Sequence, residues 1–295
     1  MGRSSIYGSL VVLLVVVNAA VAKVQDYFLW DDWGGTWADA EKVLPDGYPG
    51  AGTGDDYMCW AAAASNTLEW TGWHGPGDLT NTDAIFGYFQ DHWTDDGMPF
   101  SVGMGTAWKW WFDGISVATG ATRVDVPGGG FYSTADFADS YHVRVSDSRN
   151  GRESMVAIDQ FLHAGYGTML DITPLCGDGH VITVWGLQYE TDPTINPYYY
   201  NGIWVTDSDD DMDNPPYPDN LQYWSIAAYG TTGAARWIVW SDADMYAPDS
   251  YGGFLASVYG LERNPDYALV PVPSAVLLGA IGLLYSGRRL KRRTA

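Results

Sequence analysis

The order of helix-like and strand-like segments is the feature of this sequence that most limits its fold. Helical spacing and composition predict helices at Ala61–Trp70, Thr82–His92, Thr106–Phe112 and Arg152–Leu162. From Thr168 onward, short apolar runs predict strands at Met169–Ile172, His180–Tyr189, Gly202–Ser208, Tyr223–Tyr229 and Arg236–Trp240. Helices followed by antiparallel strands predict an α+β protein.

Composition favours one folded body with an acidic surface. Hydrophobic residues make up 46% of the 295 residues and aromatic residues 15%, which is enough for a large core. Residues 23–269 contain nine basic and 36 acidic residues, a balance that repels nucleic-acid phosphates. No internal repeat or Pro-rich linker divides this stretch, so the sequence predicts one domain and no nucleic-acid partner.

The N-terminus has the pattern of a secretory signal peptide. A basic Arg3, an apolar run over residues 10–17 and the small residues at 20–22 follow in the order that signal peptidase requires. We therefore expect residues 1–22 to be removed on export. A membrane anchor is the alternative, but the apolar run is shorter than the roughly 20 residues that cross a bilayer.

The C-terminal tail, residues 270–295, has three parts. The sequence Val-Pro-Val-Pro-Ser precedes an apolar stretch at 275–285 and a basic cluster. This order resembles the PEP-CTERM sorting signal of bacteria, although Val272 stands where that signal usually has glutamate. The resemblance implies export, transient membrane association, an exosortase-type partner and release to the cell surface or outside. A plain membrane-spanning tail anchor is the alternative.

Two cysteines, Cys59 and Cys176, occur in the chain. In an exported protein they could form a structural disulfide. Cys59, however, lies at the start of the first predicted helix, where the helix dipole and unpaired N–H groups stabilise a thiolate. A cysteine nucleophile needs such an environment. Because Cys176 lies four residues before His180, a reversible disulfide that silences Cys59 is a further hypothesis.

His180 is the histidine best situated to serve as a base for Cys59. It opens one predicted strand, and Asp207 lies near the end of the next. In the antiparallel register that pairs these two, the residues that follow on the same face are all apolar: Ile182, Val184, Ile203 and Val205. Directly opposed Cβ atoms lie about 4.5–5.5 Å apart, so the carboxylate could orient the imidazole.

A cysteine at a helix start, followed by a hairpin with histidine and aspartate, is the order of parts in papain-like cysteine proteases. The strings DDYMCWAAAASNTLEW, HVITVWG and GIWVTDSD resemble the nucleophile, histidine and acid motifs of the IdeS/Mac immunoglobulin-G-degrading cysteine endopeptidases. The resemblance spans residues 54–209, except for the stretch between about residues 73 and 154, which does not match. It implies a papain-like fold, a peptide or protein substrate, and a thioester acyl-enzyme. By the same resemblance Cys59 is the nucleophile, His180 the base, Asp207 the orienting acid and Asp209 a supporting carboxylate.

This sequence departs from the family at two positions near Cys59. Family members carry an oxyanion-stabilising lysine about ten residues before the nucleophile, whereas the nearest one here is Lys42. Either Lys42 reaches the site through a longer loop, or the backbone N–H of Cys59 carries more of the stabilisation. The residue after the nucleophile is Trp60, where the family usually has a small one.

Two other functions fit parts of the sequence. A surface protein that binds glycan or matrix would use exposed aromatic residues, for which the candidates are Trp70, Trp73, Trp108, Trp110 and Trp111. A transferase or isopeptidase would use the same cysteine, histidine and aspartate on another acceptor.

The acidic run at 207–213 does not match a standard calcium loop. As an EF-hand it has Met212 at the glycine position and Pro218 at the glutamate position. An irregular calcium site at Asp211 and Asp213 is one alternative, and a solvated acidic loop is the expected one. No histidine or cysteine pair has zinc-ligand spacing, so the sequence predicts no metal and no cofactor.

Overall fold

The structure of the protein is a computed structural model. It describes residues 23–42, 55, 58–93, 105–114, 118–119, 122–123, 126–145, 152–174, 179–192, 196–208, 221–229, 236–241 and 252–267. The predicted signal peptide and sorting tail lie outside the described residues.

The described residues form six helices and ten strands. The helices are α1 (Leu29–Trp33), α2 (Cys59–Thr71), α3 (Thr82–His92), α4 (Gly105–Asp113), α5 (Phe137–Ser140) and α6 (Arg152–His163). The strands are β1 (Lys23–Phe28), β2 (Ala118–Thr119), β3 (Thr122–Arg123), β4 (Tyr141–Val145), β5 (Gly167–Pro174), β6 (His180–Asp192), β7 (Asn196–Thr206), β8 (Gln222–Tyr229), β9 (Arg236–Ser241) and β10 (Gly252–Leu261). The predicted α+β class is confirmed.

The main sheet is antiparallel, and its pairings form a ring. Seven strands pair in the order β1-β6-β5-β10-β9-β8-β7, and β6 also pairs with β7. Strands β6, β5, β10, β9, β8 and β7 therefore close on themselves. β1 continues along the edge of β6 beyond the segment that pairs with β5, and β4 adds to one edge of β10.

Alternate side chains of these strands contribute to two buried clusters. In the first, Met169, Val181 and Tyr259 pack with α2, α3 and α4. In the second, their strand neighbours Leu170 and Ile182 pack with α6. Because side chains alternate along a strand, the two helices α2 and α6 lie on opposite faces of the same strands.

The predicted helices are all present. α3 has the predicted bounds, and Asn81 caps it by accepting a hydrogen bond from the N–H of Ala84 at 2.9 Å. α2 begins two residues earlier than predicted, at Cys59 itself, and ends at Thr71; Gly72 caps it in a left-handed conformation with a φ of 75°.

The order of elements differs from the prediction at both ends of the sheet. β1 precedes all the helices and was not predicted. β10, which lies between β5 and β9 in the ring, was not predicted either. β1 carries Lys23 and Asp26 and lies at an edge, while β10 opens with two glycines. Neither strand has a clear alternation of apolar and polar residues that would predict it. Both form because they pair with strands that are distant in sequence.

The prediction that five tryptophans are exposed is wrong. Trp70, Trp73, Trp108, Trp110 and Trp111 are all buried. Their indole N–H groups donate hydrogen bonds inside the protein, to partners that include Thr67 Oγ1, Val126 O and the backbone O of Trp73. These side chains therefore stabilise the core, and the basis for proposing a glycan-binding surface is lost.

Within the part of the chain that the structure describes, no helix is both long enough and apolar enough to cross a membrane.

Candidate active site

His180 and Asp207 form a buried pair where β6 begins and β7 has just ended. The Nε2 atom of His180 lies 2.7 Å from Oδ1 of Asp207. The side chains are only 9% and 6% exposed. The short distance and the burial fix the imidazole plane, and they leave Nδ1 as the ring nitrogen that would exchange a proton with a nucleophile.

The register that brings this pair together differs from the prediction. β6 and β7 pair through Thr183 with Thr206 and Val184 with Val205, two residues away from the expected pairing. His180 and Asp207 are therefore diagonal neighbours rather than directly opposed. A shift of two residues keeps every side chain on its predicted face, so the four apolar residues of that face are buried together. Irregular pairing between Val184 and Gly186 changes the register.

Helix α2 is fixed to both of these strands by one side chain. The Nδ2 atom of Asn66 donates to Oγ1 of Thr183 at 3.0 Å and to Oγ1 of Thr206 at 3.3 Å. Further along, the rings of Trp70 and Trp185 meet edge to face with centroids 5.9 Å apart. Both contacts together show that α2 and β6 run in the same direction.

This alignment sets where the first residue of α2 lies relative to the strand ends. An α-helix rises about 1.5 Å per residue and a strand about 3.3 Å, so the steps from Asn66 back to Cys59 and from Thr183 back to His180 both cover about 10 Å. Seven residues are nearly two helical turns, so Cys59 and Asn66 share a face of α2. Helical periodicity thus directs Cys59 towards the ends of β6 and β7.

Cys59 is a free, buried thiol at the helix N-terminus. The preceding residue, Met58, gives no side-chain cap, and its carbonyl accepts the N–H groups of Ala61 and Ala62. The sulfur thus lies beside the N–H groups of the first turn, at the positive end of the helix dipole. Because its thiol is free, Cys59 does not form the structural disulfide that the sequence left open. Its possible partner, Cys176, lies outside the described residues.

The turn before Cys59 is held by a contact from α3. Gln90 Nε2 donates to Oδ2 of Asp55 at 2.7 Å, and the carbonyl of Asp55 accepts the N–H of Met58 at 2.8 Å. These bonds attach the start of α2 to a neighbouring helix. Sequence reasoning did not find Gln90, because its role depends on a contact between residues 35 positions apart.

The segment that carries Lys42 runs beside the end of β7. Its backbone N–H donates to the carbonyl of Ser208 at 3.2 Å, and Thr206 Oγ1 donates to the carbonyl of Ala38 at 3.0 Å. Lys42 is buried. The backbone of Lys42 therefore lies next to Ser208, the residue that follows Asp207. This position agrees with the first of the two alternatives, in which Lys42 reaches the site through a longer loop.

Asp171 is a buried carboxyl near the site that the sequence analysis did not predict. It lies in β5 opposite Val181, the neighbour of His180. Burial raises the pKa of Asp171 to about 6. In a strand that alternates apolar and polar residues, as Leu170, Asp171 and Ile172 do, the polar residue usually faces solvent. The sequence therefore did not indicate that a helix covers Asp171.

Several predicted residues lie outside the described residues. These are Asp209, the possible calcium ligands Asp211 and Asp213, and Cys176. Among the residues that the structure does describe, no group of three histidine, cysteine or acidic side chains could hold a metal ion.

Comparison with known proteins adds no assignment. No protein-family model matches the sequence, and no curated protein gives a significant match. The resemblance to the IdeS/Mac endopeptidases therefore stays a prediction.

Proposed function

We propose that this chain is an exported papain-like cysteine endopeptidase of the IdeS/Mac type. Cys59 is the nucleophile, His180 the base and Asp207 the orienting acid, with Asp209 as a supporting carboxylate. The substrate is a peptide or protein, and the product of the first step is a thioester. The observation that carries the proposal is the 2.7 Å contact of His180 with Asp207 at the strand ends towards which α2 directs Cys59.

The proposed reaction begins with proton transfer from the thiol to His180. Asp207 accepts a hydrogen bond from Nε2, so it stabilises the imidazolium, and Nδ1 is the nitrogen that takes the proton of the thiol. The thiolate attacks the carbonyl carbon of the scissile bond, and the carbonyl oxygen becomes an oxyanion. His180 then gives its proton to the leaving amine, the C–N bond breaks and the acyl group remains on sulfur.

Hydrolysis of the thioester uses the same groups in reverse. His180 takes a proton from water, the hydroxide attacks the thioester carbonyl, and the C–S bond breaks to give a carboxylic acid and the regenerated thiol. Buried surroundings strengthen each of these electrostatic contacts, since little water competes with them.

Two donors are available for the oxyanion. The N–H of Cys59 points out of the first helical turn, where no intrahelical acceptor exists. The segment of Lys42 is attached beside Asp207, which supports a contribution from this residue across a longer loop than the family uses. Loss of one donor typically costs about 10²–10³ in rate.

The two chain ends support an exported location. Residues 1–22 would direct secretion, residues 23–269 would form the peptidase domain, and residues 270–295 would hand the protein to exosortase-type sorting machinery. The product would act at the cell surface or outside.

Peptide-library profiling of the purified full chain tests the proposal. We expect hydrolysis at defined bonds, and loss of at least about 10⁴-fold in kcat/KM in Cys59→Ala, because no other group replaces the nucleophile. Cys176→Ala is the matched control, since it removes the other cysteine, and it should keep the activity under reducing conditions. Equal hydrolysis by the wild-type chain and Cys59→Ala would contradict the proposal.

A further inference from the structure

Asp171 occupies a central position in the sheet beside the proposed catalytic residues. In β5 it pairs with Val181 of β6 on one side and with Ser257 of β10 on the other. Paired strands lie about 4.8 Å apart, and Val181 follows His180 directly, so the backbone of Asp171 lies one strand away from that of His180.

The carboxyl group of Asp171 faces the same side of the sheet as α2. Met169, two residues earlier, and Val181, directly opposite, both belong to the cluster that contains Cys59. Alternation along β5 therefore directs Asp171 towards the first turn of α2. Its other strand neighbour, Ser257, is also polar and buried.

Within the described part of the chain, the fold gives this carboxyl no partner. Asp171 is 9% exposed, and its Oδ1 atom is enclosed without a hydrogen-bond donor. Its paired neighbours, Val181 and Ser257, carry no charge. A buried carboxylate without a donor destabilises a fold, and a role in binding or chemistry is one reason for a protein to keep such a group. The raised pKa is the result of this desolvation.

We propose that Asp171, with Ser257 beside it, forms a substrate subsite next to Cys59 that binds a cationic side chain, lysine or arginine. The inference rests on the proposed peptidase function and names the substrate class of that site. A guanidinium or ammonium group would give Asp171 the donor that it lacks and would hold it ionised. The acidic body, with 36 acidic and nine basic residues, would attract cationic polypeptides.

A positional peptide library that contains arginine or its neutral isostere citrulline tests the subsite. The full chain should cleave the arginine peptides with a kcat/KM at least about 10-fold higher when the residue is at one particular position. In Asp171→Asn this arginine-to-citrulline ratio should fall towards one. Asp171→Glu is the matched variant, because it keeps the charge, and it should retain a ratio above that of Asp171→Asn.

The outcomes separate the subsite from the peptidase. Cleavage with an arginine-to-citrulline ratio near one at every position, or a ratio that Asp171→Asn leaves unchanged, would overturn the subsite while the peptidase proposal stands. No cleavage of any peptide by the reduced wild-type chain would overturn both. A thermal melt of each variant shows whether it is folded. If Asp171→Asn does not fold, the arginine-to-citrulline ratio of Asp171→Glu tests the subsite: a ratio above one supports it, and a ratio near one overturns it.

Discussion

Helices α2 and α6 pack on opposite faces of the same strands, but different forces hold them. α6 is amphipathic, with exposed Glu153 and Gln160 and with apolar residues packed against the sheet. α2 is buried on all sides, is rich in alanine, and makes directional hydrogen bonds to two strands through Asn66. α6 also accepts a half-buried hydrogen bond at Asp159 from the hydroxyl of Tyr200, at 2.9 Å. The bonds of Asn66, in contrast, are fully buried and reach two strands.

The buried hydrogen bonds position α2 more accurately than apolar packing positions α6. Apolar packing is not directional and tolerates small shifts along the helix axis. A hydrogen bond weakens steeply when its distance or angle changes, so Asn66 fixes α2 along its axis. Asn66 also keeps a buried Oδ1 atom without a hydrogen-bond partner, which costs stability. We interpret this cost as part of aligning Cys59 with His180, since catalysis requires positions accurate to a fraction of an ångström.

Ile158→Ala should have the largest effect on stability, because Ile158 is fully buried between α6 and the sheet. We expect the free energy of unfolding to fall by about 2–5 kcal/mol. Activity per folded molecule should stay near that of the wild type, as α6 carries no proposed catalytic group. Chemical denaturation and active-site titration measure the two quantities, and exposed Gln160→Ala on the same helix is the control. A large loss of activity per folded molecule would break the distinction between the helices.

Asp171→Asn tests how the buried carboxyl on the α2 side of the sheet changes the free energy of unfolding with pH. The pKa of Asp171 is raised from 3.8 to about 6 in the folded protein, so the folded state favours the protonated form. Stability from this group is full below about pH 4 and is lost as pH rises through about 6. Above that range, Asp171→Asn should unfold with a free energy up to about 3 kcal/mol higher than that of the wild type. Denaturation at pH 4 and pH 8 measures this, and a difference that is the same at both pH values would contradict it.

Asn66→Ala should affect activity more than stability, in contrast to Ile158→Ala. Removing its bonds to Thr183 and Thr206 should cost about 1–2 kcal/mol in unfolding free energy. A misaligned Cys59 should lower kcat/KM by about 10-fold or more, with little change in KM. The control is Ser65→Ala, since the hydroxyl of Ser65 bonds only within α2, to the carbonyl of Ala61. Equal losses of activity in both variants would show that Asn66 has no special alignment role.

The sequence predicted local features of the site well. Cys59 at a helix start follows from the alanine-rich run after it, and the shared face of His180 and Asp207 follows from strand alternation. Both features follow from the residue pattern within single helices and strands. The predicted register was two residues off, because the β6–β7 pairing contains several irregularities, between Glu190 and Asp192, between Gln188 and Tyr189 and between Val184 and Gly186, that leave no mark in the apolar pattern.

Features that depend on distant contacts could not be predicted. The contact of Gln90 with Asp55 and the burial of Asp171 under α2 arise only when helices pack on the sheet. Tryptophans such as Trp110 were candidates for an exposed binding surface only under the alternative function, because sequence alone does not show which indoles are buried. The structure satisfies the polar end of the Trp110 indole internally, with the carbonyl of Val126.

The rate at which iodoacetamide alkylates Cys59 tests the central claim most directly, since it reports on the thiol without requiring a known substrate. Mass spectrometry of the reduced full chain separates modification of Cys59 from that of Cys176. The account predicts that wild-type Cys59 reacts at least about 10-fold faster at neutral pH than Cys59 in His180→Ala, because the imidazole stabilises the thiolate. Equal rates in the two proteins would show that His180 does not act on Cys59, and the proposed catalytic arrangement would be wrong.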